Sequence, residues 1–417
     1  MNQPRIDGKR LWRSLEELAR IGATPKGGVR RLTLTELDRE ARELFSRWAR
    51  EAGMSVAVDA IGNVFARRAG ADPGEAPVAI GSHLDSQPSG GRFDGAYGVM
   101  AGLEVVRALN DAGIVTRAPL EVISWTNEEG SRFTPVMMGS GVFAGVFTLE
   151  HALAQKDTEG VSVREALERI GYAGPAKPHR LGAYFEAHIE QGPVLEDTKT
   201  TIGVVQGALG QRWFDALITG MDAHAGPTPM ALRKDALLAA SRVVLAVNRV
   251  GTAFPDNARG TVGSMQVKPN SRNVVPGEVR LSVDLRNAKD DTLLDMVSAL
   301  YASLKSIEDE CRVAIELKEI THFPPCEFDP ALVASVRAGA KVHGHSHRDI
   351  VSGAGHDAVY VARVAPTAMI FVPCEGGISH NEIENATPED LSAGCNVLLH
   401  AVLERAGRAA AAARSAA

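Results

Sequence analysis

Apolar residues return every three or four positions at the start of the chain. Leu11, Leu15 and Leu18 predict a helix that Gly22 stops. Thr35 can cap a second helix whose apolar face is Leu37, Ala41, Leu44, Phe45, Trp48 and Ala52. The pattern then shifts to short apolar runs at Ser55–Val58, Asn63–Ala66, Val78–Gly81 and Leu120–Thr126, which predict strands, with a helix over about Val99–Leu109. Strands alternating with amphipathic helices predict an α/β fold, a sheet with helices on its faces.

The order changes near Gly207. Arg212–Thr219 reads as a strand, Ala231–Asn248 as a helix, Thr261–Val267 and Val279–Arg286 as strands, Leu293–Leu304 as a helix and Val313–Ile320 as a strand. This β-α-β-β-α-β order is ferredoxin-like, and it ends at Pro324-Pro325. The α/β alternation resumes with a helix at Pro330–Val342, a strand at Ala368–Val372 and a helix at Pro388–Leu403. The expectation is therefore a discontinuous catalytic domain with a mixed sheet flanked by helices, residues 1–209 and 327–417, interrupted by a ferredoxin-like domain at 210–326. The Ala-rich tail after Arg405 reads as a frayed helix or disorder.

Composition narrows the function classes. The 417 residues are 45% hydrophobic and 23% charged, as in a globular protein with more than one core. A net charge of −6 offers no basic field for nucleic acid. Arg5, Lys9 and Arg10 have no apolar run behind them, so no secretory signal is expected, and Arg242 and Arg249 interrupt the apolar stretch Ala236–Val250 that could otherwise span a bilayer. Cys311, Cys326, Cys374 and Cys395 are far apart and never in C-x-x-C spacing, as reduced thiols of a cytoplasmic protein would be.

Four polar clusters carry the candidate chemistry. Gly81-Ser-His-Leu-Asp-Ser-Gln-Pro-Ser-Gly-Gly-Arg-Phe-Asp-Gly95 follows an apolar strand, where α/β folds place ligand sites. His83 and Asp85, two apart, share a face in extended backbone, so one can bind a metal while the other orients it, and Asp94 can swing back toward them. Trp125-Thr-Asn-Glu-Glu-Gly-Ser131 sets two adjacent carboxylates, Glu128 and Glu129, at another strand end, a costly arrangement unless cations or protons neutralise it. Phe185-Glu-Ala-His-Ile-Glu-Gln-Gly-Pro193 places His188 beside Glu186, Glu190 and Gln191, and Gly376-Gly-Ile-Ser-His-Asn-Glu382 places His380 in a Gly-rich turn. Each histidine alone is more often structural than a ligand. Histidines and carboxylates at successive strand ends together point to one shared metal site.

These motifs, with the Asn273…Arg286 segment, resemble the di-zinc aminoacylase/carboxypeptidase superfamily of amidohydrolases. The similar branch comprises N-carbamoyl-L-amino-acid hydrolases, β-ureidopropionases and allantoate amidohydrolases. The resemblance covers the chain except its Ala-rich tail. It implies two divalent metals held by His83, Asp94, Glu129, His188 and His380, with Asp94 bridging them. Zn²⁺ suits that set, and so do Mn²⁺, Co²⁺ and Ni²⁺. Glu128 would be the general base and Asp85 would support His83. His224 would stabilise the tetrahedral intermediate, reaching a neighbouring subunit's site. Gln211, Asn273, Arg286 and Gln191 would hold the substrate, Arg286 as a bidentate carboxylate clamp, with His356 a further contact. The inserted domain would serve as lid and as the interface of a homodimer.

The activity implied is removal of a carbamoyl group from an N-carbamoyl amino acid, a small ureido substrate with a carboxylate, giving the amino acid, CO₂ and ammonia. Allantoate hydrolysis is the alternative, followed by a metallo-peptidase or aminoacylase of the same superfamily. A metal-free binding protein is disfavoured because every ligand position is filled, and neither nucleic acid nor a membrane is an expected partner. Two weaker signals remain. Gly353-Ala-Gly-His-Asp-Ala358 fits a dinucleotide fingerprint without the βαβ series that should follow it. His343, His345 and His347 alternate in what reads as a solvated loop.

Overall fold

The computed structural model describes residues 4–255 and 257–409. The chain forms two compact units, one running to Gln206 and resuming at Phe328, the other Gly207–Glu327.

Four mutually parallel strands form the centre of the first unit, in the spatial order Leu120–Trp125, Val78–His83, Ala183–Ile189 and Thr367–Val372. Every residue in them is buried, as expected of a parallel sheet covered on both faces. Antiparallel strands flank them. Val64–Arg68 and then Ser55–Val58 lie beyond Leu120–Trp125, and Ile202–Ala208 lies beyond Thr367–Val372, so the sheet is mixed. The helices Gly8–Ala19, Ala96–Asp111 and Pro388–Ala406 pack on one another. Parallel strands share a direction, so the segments leaving His83, Trp125, Ile189 and Val372 emerge along one edge of the sheet. Four motifs far apart in sequence thereby become neighbours.

The second unit runs strand Gly210–Thr219, helix Ala236–Ala253, strands Arg259–Thr261, Met265–Lys268 and Glu278–Asn287, helix Asp290–Cys311 and strand Ala314–Phe323. Its antiparallel sheet has the spatial order Met265–Lys268, Glu278–Asn287, Gly210–Thr219, Ala314–Phe323. Phe214, Ala216, Ile218, Val279, Leu281, Val283 and Leu285 bury one face against Ala239, Val243, Val247, Leu293, Met296 and Leu300 of the two helices.

Several local expectations change. Leu37, placed on a buried helix face by its spacing, is 38% exposed, whereas Ala41, Leu44, Phe45 and Trp48 are buried. The helix expected from Ala231 starts at Ala236, because the Asp235 carboxylate accepts the N–H groups of Leu237 and Leu238. The single strand expected over Thr261–Val267 is two short ones, both paired with Glu278–Asn287. The helix Val163–Ile170 is held at its start by a Ser162/Glu165 capping box. Arg242 and Arg249 do not disqualify Ala236–Ala253 as a span, since its 18 residues have a mean hydropathy of 1.3; packing against the sheet accounts for its apolar face. Gly353–Ala358 leads only into the five-residue helix Asp357–Val361, unlike a dinucleotide-binding turn. His347 opens a strand, His347–Ser352, beside Ile202–Ala208 and does not belong to a loop. The last helix extends to Ala406, and the tail from residue 410 lies outside the described residues.

Candidate metal centre

His83 is the last residue of its strand, and Asp94 follows a glycine turn that returns the chain to it. The turn closes at Gly95, whose φ is +65° and where a Cβ would collide with the His83 ring; only glycine meets both conditions. His188 comes from the neighbouring parallel strand and His380, with φ 53°, from the turn after the next one. Asp94 faces all three imidazoles. Its Oδ1 lies 3.2 Å from His188 Nε2 and 3.6 Å from His83 Nε2, and its Oδ2 lies 3.3 Å from His380 Nε2. Glu129 Oε2 lies 3.4 Å from the same His380 nitrogen. Two donor sets result, His83–Asp94–His188 and Asp94–Glu129–His380, sharing Asp94.

Ring tautomers test whether these groups fit a cation. His83 Nδ1 is 2.9 Å from the Asp85 carbonyl and His188 Nδ1 is 2.8 Å from the Ile189 carbonyl. A carbonyl only accepts, so each Nδ1 carries the proton and each Nε2 presents a lone pair. Those lone pairs face carboxylate oxygens, acceptor against acceptor, which calls for a cation or a proton between them; His188 Nε2 also accepts the Gly95 N–H at 3.2 Å. The site's electrostatics agree. Burial pushes Glu128 well above the usual carboxylate range, and repulsion from Asp357, Glu129 and Asp94 adds to the shift. Burial and the charge of Asp94 raise Glu129 to about 7. Burial would raise Asp94, yet the facing imidazoles of His188, His380 and His83 hold it well below the usual range, which they do only with a proton or cation between ring and carboxylate. Excess buried negative charge facing imidazole lone pairs fits divalent cations.

The paired glutamates are held apart by local geometry. Asn127 has φ 56° and its side chain donates to the Phe133 and Pro135 carbonyls, so the chain turns sharply before Glu128. Glu129 accepts from Gln87 N–H at 3.0 Å and from Gln87 Nε2 at 2.7 Å. Glu128 Oε2 stands 3.5 Å from His83 Nε2. Asp85 departs from its expected role: its backbone carbonyl, not its carboxylate, orients His83. Its carboxylate oxygens lie 3.3 Å from the backbone N–H groups of Glu128 and Glu129, accepting one from each. Asp85 Oδ1 lies 3.9 Å from His83 Nδ1, close enough for its charge to act on the ring but beyond hydrogen-bond distance.

A cavity of about 160 Å³ opens on the centre, lined by His83, Asp94, Glu128, Glu129, Val136, Met137, His188, Gln191, Ala354, Gly355, His356 and His380. His356 is buried with Nε2 2.9 Å from Ser352 Oγ, and burial, reinforced by His188, keeps it well below the usual histidine range and therefore neutral. Gln191, expected to hold substrate, gives its amide N–H groups to Asp94 Oδ2 at 3.0 Å and to Ser379 Oγ at 3.2 Å. Glu190 caps the short helix Val194–Asp197 through the N–H groups of Val194 and Leu195. Glu186 binds Ser82 Oγ, Tyr184 Oη and the Ala358 N–H, tying the His356 loop to the strand that carries His188. Gln87, Ser379, Asp357 and Glu384 were not identified from sequence, since nothing in their spacing distinguishes them from ordinary polar residues.

The remaining candidates lie in the second unit. Gln211 and Arg286 are opposite each other in register on adjacent strands, and the Arg286 guanidinium pairs with Asp284, Nη2 to Oδ2 at 2.8 Å. His224 pairs with Val274 in a two-residue ribbon, which puts Asn273 beside it. His224 Nδ1 accepts the Gly226 N–H at 3.1 Å, and Asn273 Oδ1 accepts from Ser271.

A mixed α/β sheet whose parallel strand ends bring imidazole and carboxylate donors together defines the class, an α/β protein with a candidate metal centre at its strand ends. The chain belongs to Peptidase family M20/M25/M40, whose profile matches residues 79–404 and whose enzymes are metal-dependent. It is 49% identical over 404 residues to an N-carbamoyl-L-amino-acid amidohydrolase of Rhizobium meliloti, covering 96% of this chain and 97% of that protein. It is 34% identical to an allantoate amidohydrolase of Bacillus subtilis, covering 92% and 94% respectively. Among solved structures, a hydantoinase/carbamoylase-family amidase from Burkholderia multivorans superposes with a TM-score of 0.94 at 59% identity, covering 96% of this chain and 98% of that one.

Proposed function

We propose that this protein hydrolyses the ureido C–N bond of N-carbamoyl amino acids, giving the free amino acid, carbon dioxide and ammonia. Two divalent cations, Zn²⁺ or else Mn²⁺, Co²⁺ or Ni²⁺, are held by His83, Asp94, Glu129, His188 and His380. The observation carrying this reading is Asp94, one carboxylate whose two oxygens serve two separate donor sets. The substrate class is supported by the carbamoyl-hydrolysing relative at 49% identity over nearly the full chain. Bound cations at such a site supply Lewis-acid polarisation of a carbonyl and make water acidic enough to ionise near neutral pH.

The chain's own residues divide the remaining work. Glu128 takes the proton of the attacking water and delivers it to the leaving nitrogen. Asp85 holds the backbone of both glutamates, so base and ligand keep their separate positions. His356, neutral and at the cavity wall, is a substrate contact, and Gln191 serves Asp94 as well as substrate. To the second unit we assign carboxylate recognition by Arg286 with Gln211 and Asn273, and stabilisation of the developing oxyanion by His224. A lid role for this unit and a homodimer formed through it complete the proposal. The ten-residue strand Ala314–Phe323 supports the dimer, since it is an exposed edge carrying Ile320 and Phe323. Four free cysteines fit a cytoplasmic location.

Allantoate hydrolysis is the second reading, favoured by the Bacillus subtilis relative and requiring the same ureido chemistry. Ammonia release from a panel of N-carbamoyl-L-amino acids, N-carbamoyl-β-alanine and allantoate, before and after chelation, tests both. The expected result is metal-dependent turnover of N-carbamoyl-L-amino acids. Turnover of N-acetyl amino acids or dipeptides with none of the ureido compounds would overturn the proposal.

A further inference from the structure

Asp94 has the most demanding position in the centre, because one side chain must address donors on both sides. Yet it sits in an irregular turn, where no helix or sheet ladder fixes it. Glu384, two residues beyond the His380 motif, makes up the deficit. Its Oε1 accepts the backbone N–H of Phe93 at 3.0 Å and of Asp94 itself at 3.1 Å. Its Oε2 accepts from Ser379 Oγ at 2.7 Å, and that hydroxyl lies 3.1 Å from Asp94 Oδ2. One carboxylate thus holds the main chain of Asp94 directly and fixes Ser379 beside its side chain, where the one hydroxyl proton is shared between the Glu384 and Asp94 carboxylates.

Glu384 is 2% exposed, and its partners are N–H and O–H donors; no ion pair to it occurs among the described residues. A buried carboxylate without a counter-charge is an expensive way to gain stability but an effective way to fix geometry. It also shares its loop with His380, so the placement of Asp94 and of His380 is set by the same short segment. The turn lies flush against it: a Cβ on Gly91 would fall on the Glu384 carboxylate.

We propose that Glu384 is the positioning residue that presents Asp94 to both donor sets, and that metal affinity depends on it. This rests on the reading of Asp94 as a shared metal ligand. Full-length wild type, Glu384→Gln, Glu384→Ala and Gly91→Ala are stripped with chelator, titrated with Co²⁺ or Zn²⁺ by calorimetry, and melted metal-free. Partners of this kind typically contribute about 10–100-fold in metal affinity, and Glu384→Ala is expected to lose that much for at least one ion. Glu384→Gln stays near wild type, because an amide oxygen can accept both N–H groups while its NH₂ donates to Ser379 Oγ. Gly91→Ala follows the alanine variant, because it displaces the carboxylate without deleting it. A purely structural role would lower the metal-free melting temperature and leave affinity unchanged, and that result overturns the proposal. If Glu384→Ala does not fold, wild-type affinity in Gly91→Ala overturns it equally. Failure of the wild type to bind metal would instead remove the underlying reading of Asp94.

Discussion

Glu128 and Glu129 are adjacent in sequence, equally buried, and predicted to fail in different ways when changed to glutamine. Glu128 is held through its backbone N–H by Asp85, and its carboxylate faces His83 Nε2 at 3.5 Å. An isosteric amide keeps the anchor and the shape but cannot take a proton from water. General acid–base catalysis typically contributes about 10²–10⁴-fold, so kcat should fall by that factor, roughly 2.7–5.5 kcal/mol in the barrier. Metal content should stay at the wild-type level. In Glu129→Gln the amide retains one hydrogen bond from Gln87 and turns the other into donor against donor. Losing a hydrogen bond to a charged group costs about 1.5–3 kcal/mol, roughly 10–150-fold in affinity, before the lost anionic ligand is counted. The assay is paired: metal per chain by elemental analysis after dialysis, and turnover at saturating metal. Near-normal turnover in Glu128→Gln, or full metal retention in Glu129→Gln, refutes the division of roles.

Arg286→Lys should raise KM for N-carbamoyl amino acids far more than for their carboxamides, because an ammonium cannot form the bidentate fork; equal effects on acid and amide would show that no carboxylate is read. Arg42 is fully buried, pairs with Asp38 at 2.9 Å and reaches the Gly62 carbonyl and Thr126 Oγ1, so Arg42→Met should cost about 3–5 kcal/mol, while Asp38→Asn/Arg42→Met recovers part of it. Urea midpoints measure this, and an unchanged midpoint for the single variant contradicts it. Burial raises Asp59 from 3.8 to about 6 despite hydrogen bonds from Asn63, Ile61 and Gly62. Between those values the folded state holds a proton that the unfolded state has lost, so stability falls as pH rises through this window. Asp59→Asn cannot ionise and should show a smaller drop in metal-free urea midpoint between pH 4 and 6; an identical drop would show that Asp59 keeps its ordinary pKa.

Much of the site was written in local sequence. An apolar run ending in Gly81-Ser-His83 or Trp125-Thr-Asn-Glu-Glu129 marks a buried strand followed by reactive polar residues, and that pattern depends only on neighbours along the chain. So do the Thr35 cap and the change of pattern after Gly207, although the strand expected over Thr261–Val267 divides in two. Tertiary structure alone decided what those residues do to each other. That His83, Glu129, His188 and His380 meet at Asp94 follows from the parallel pairing of strands as far apart in sequence as Tyr184 and Thr367, a long-range register that no local pattern encodes. Asp85 illustrates the limit. Its two-residue spacing from His83 suggested a carboxylate behind the ring, but the chain leaves the sheet at that point and spends the carboxylate on the Glu128 and Glu129 backbone. Glu384 was invisible for the same reason: its value lies in accepting the N–H groups of residues 290 and 291 positions earlier, and hydrogen bonds of that reach exist only once the fold has brought their ends together.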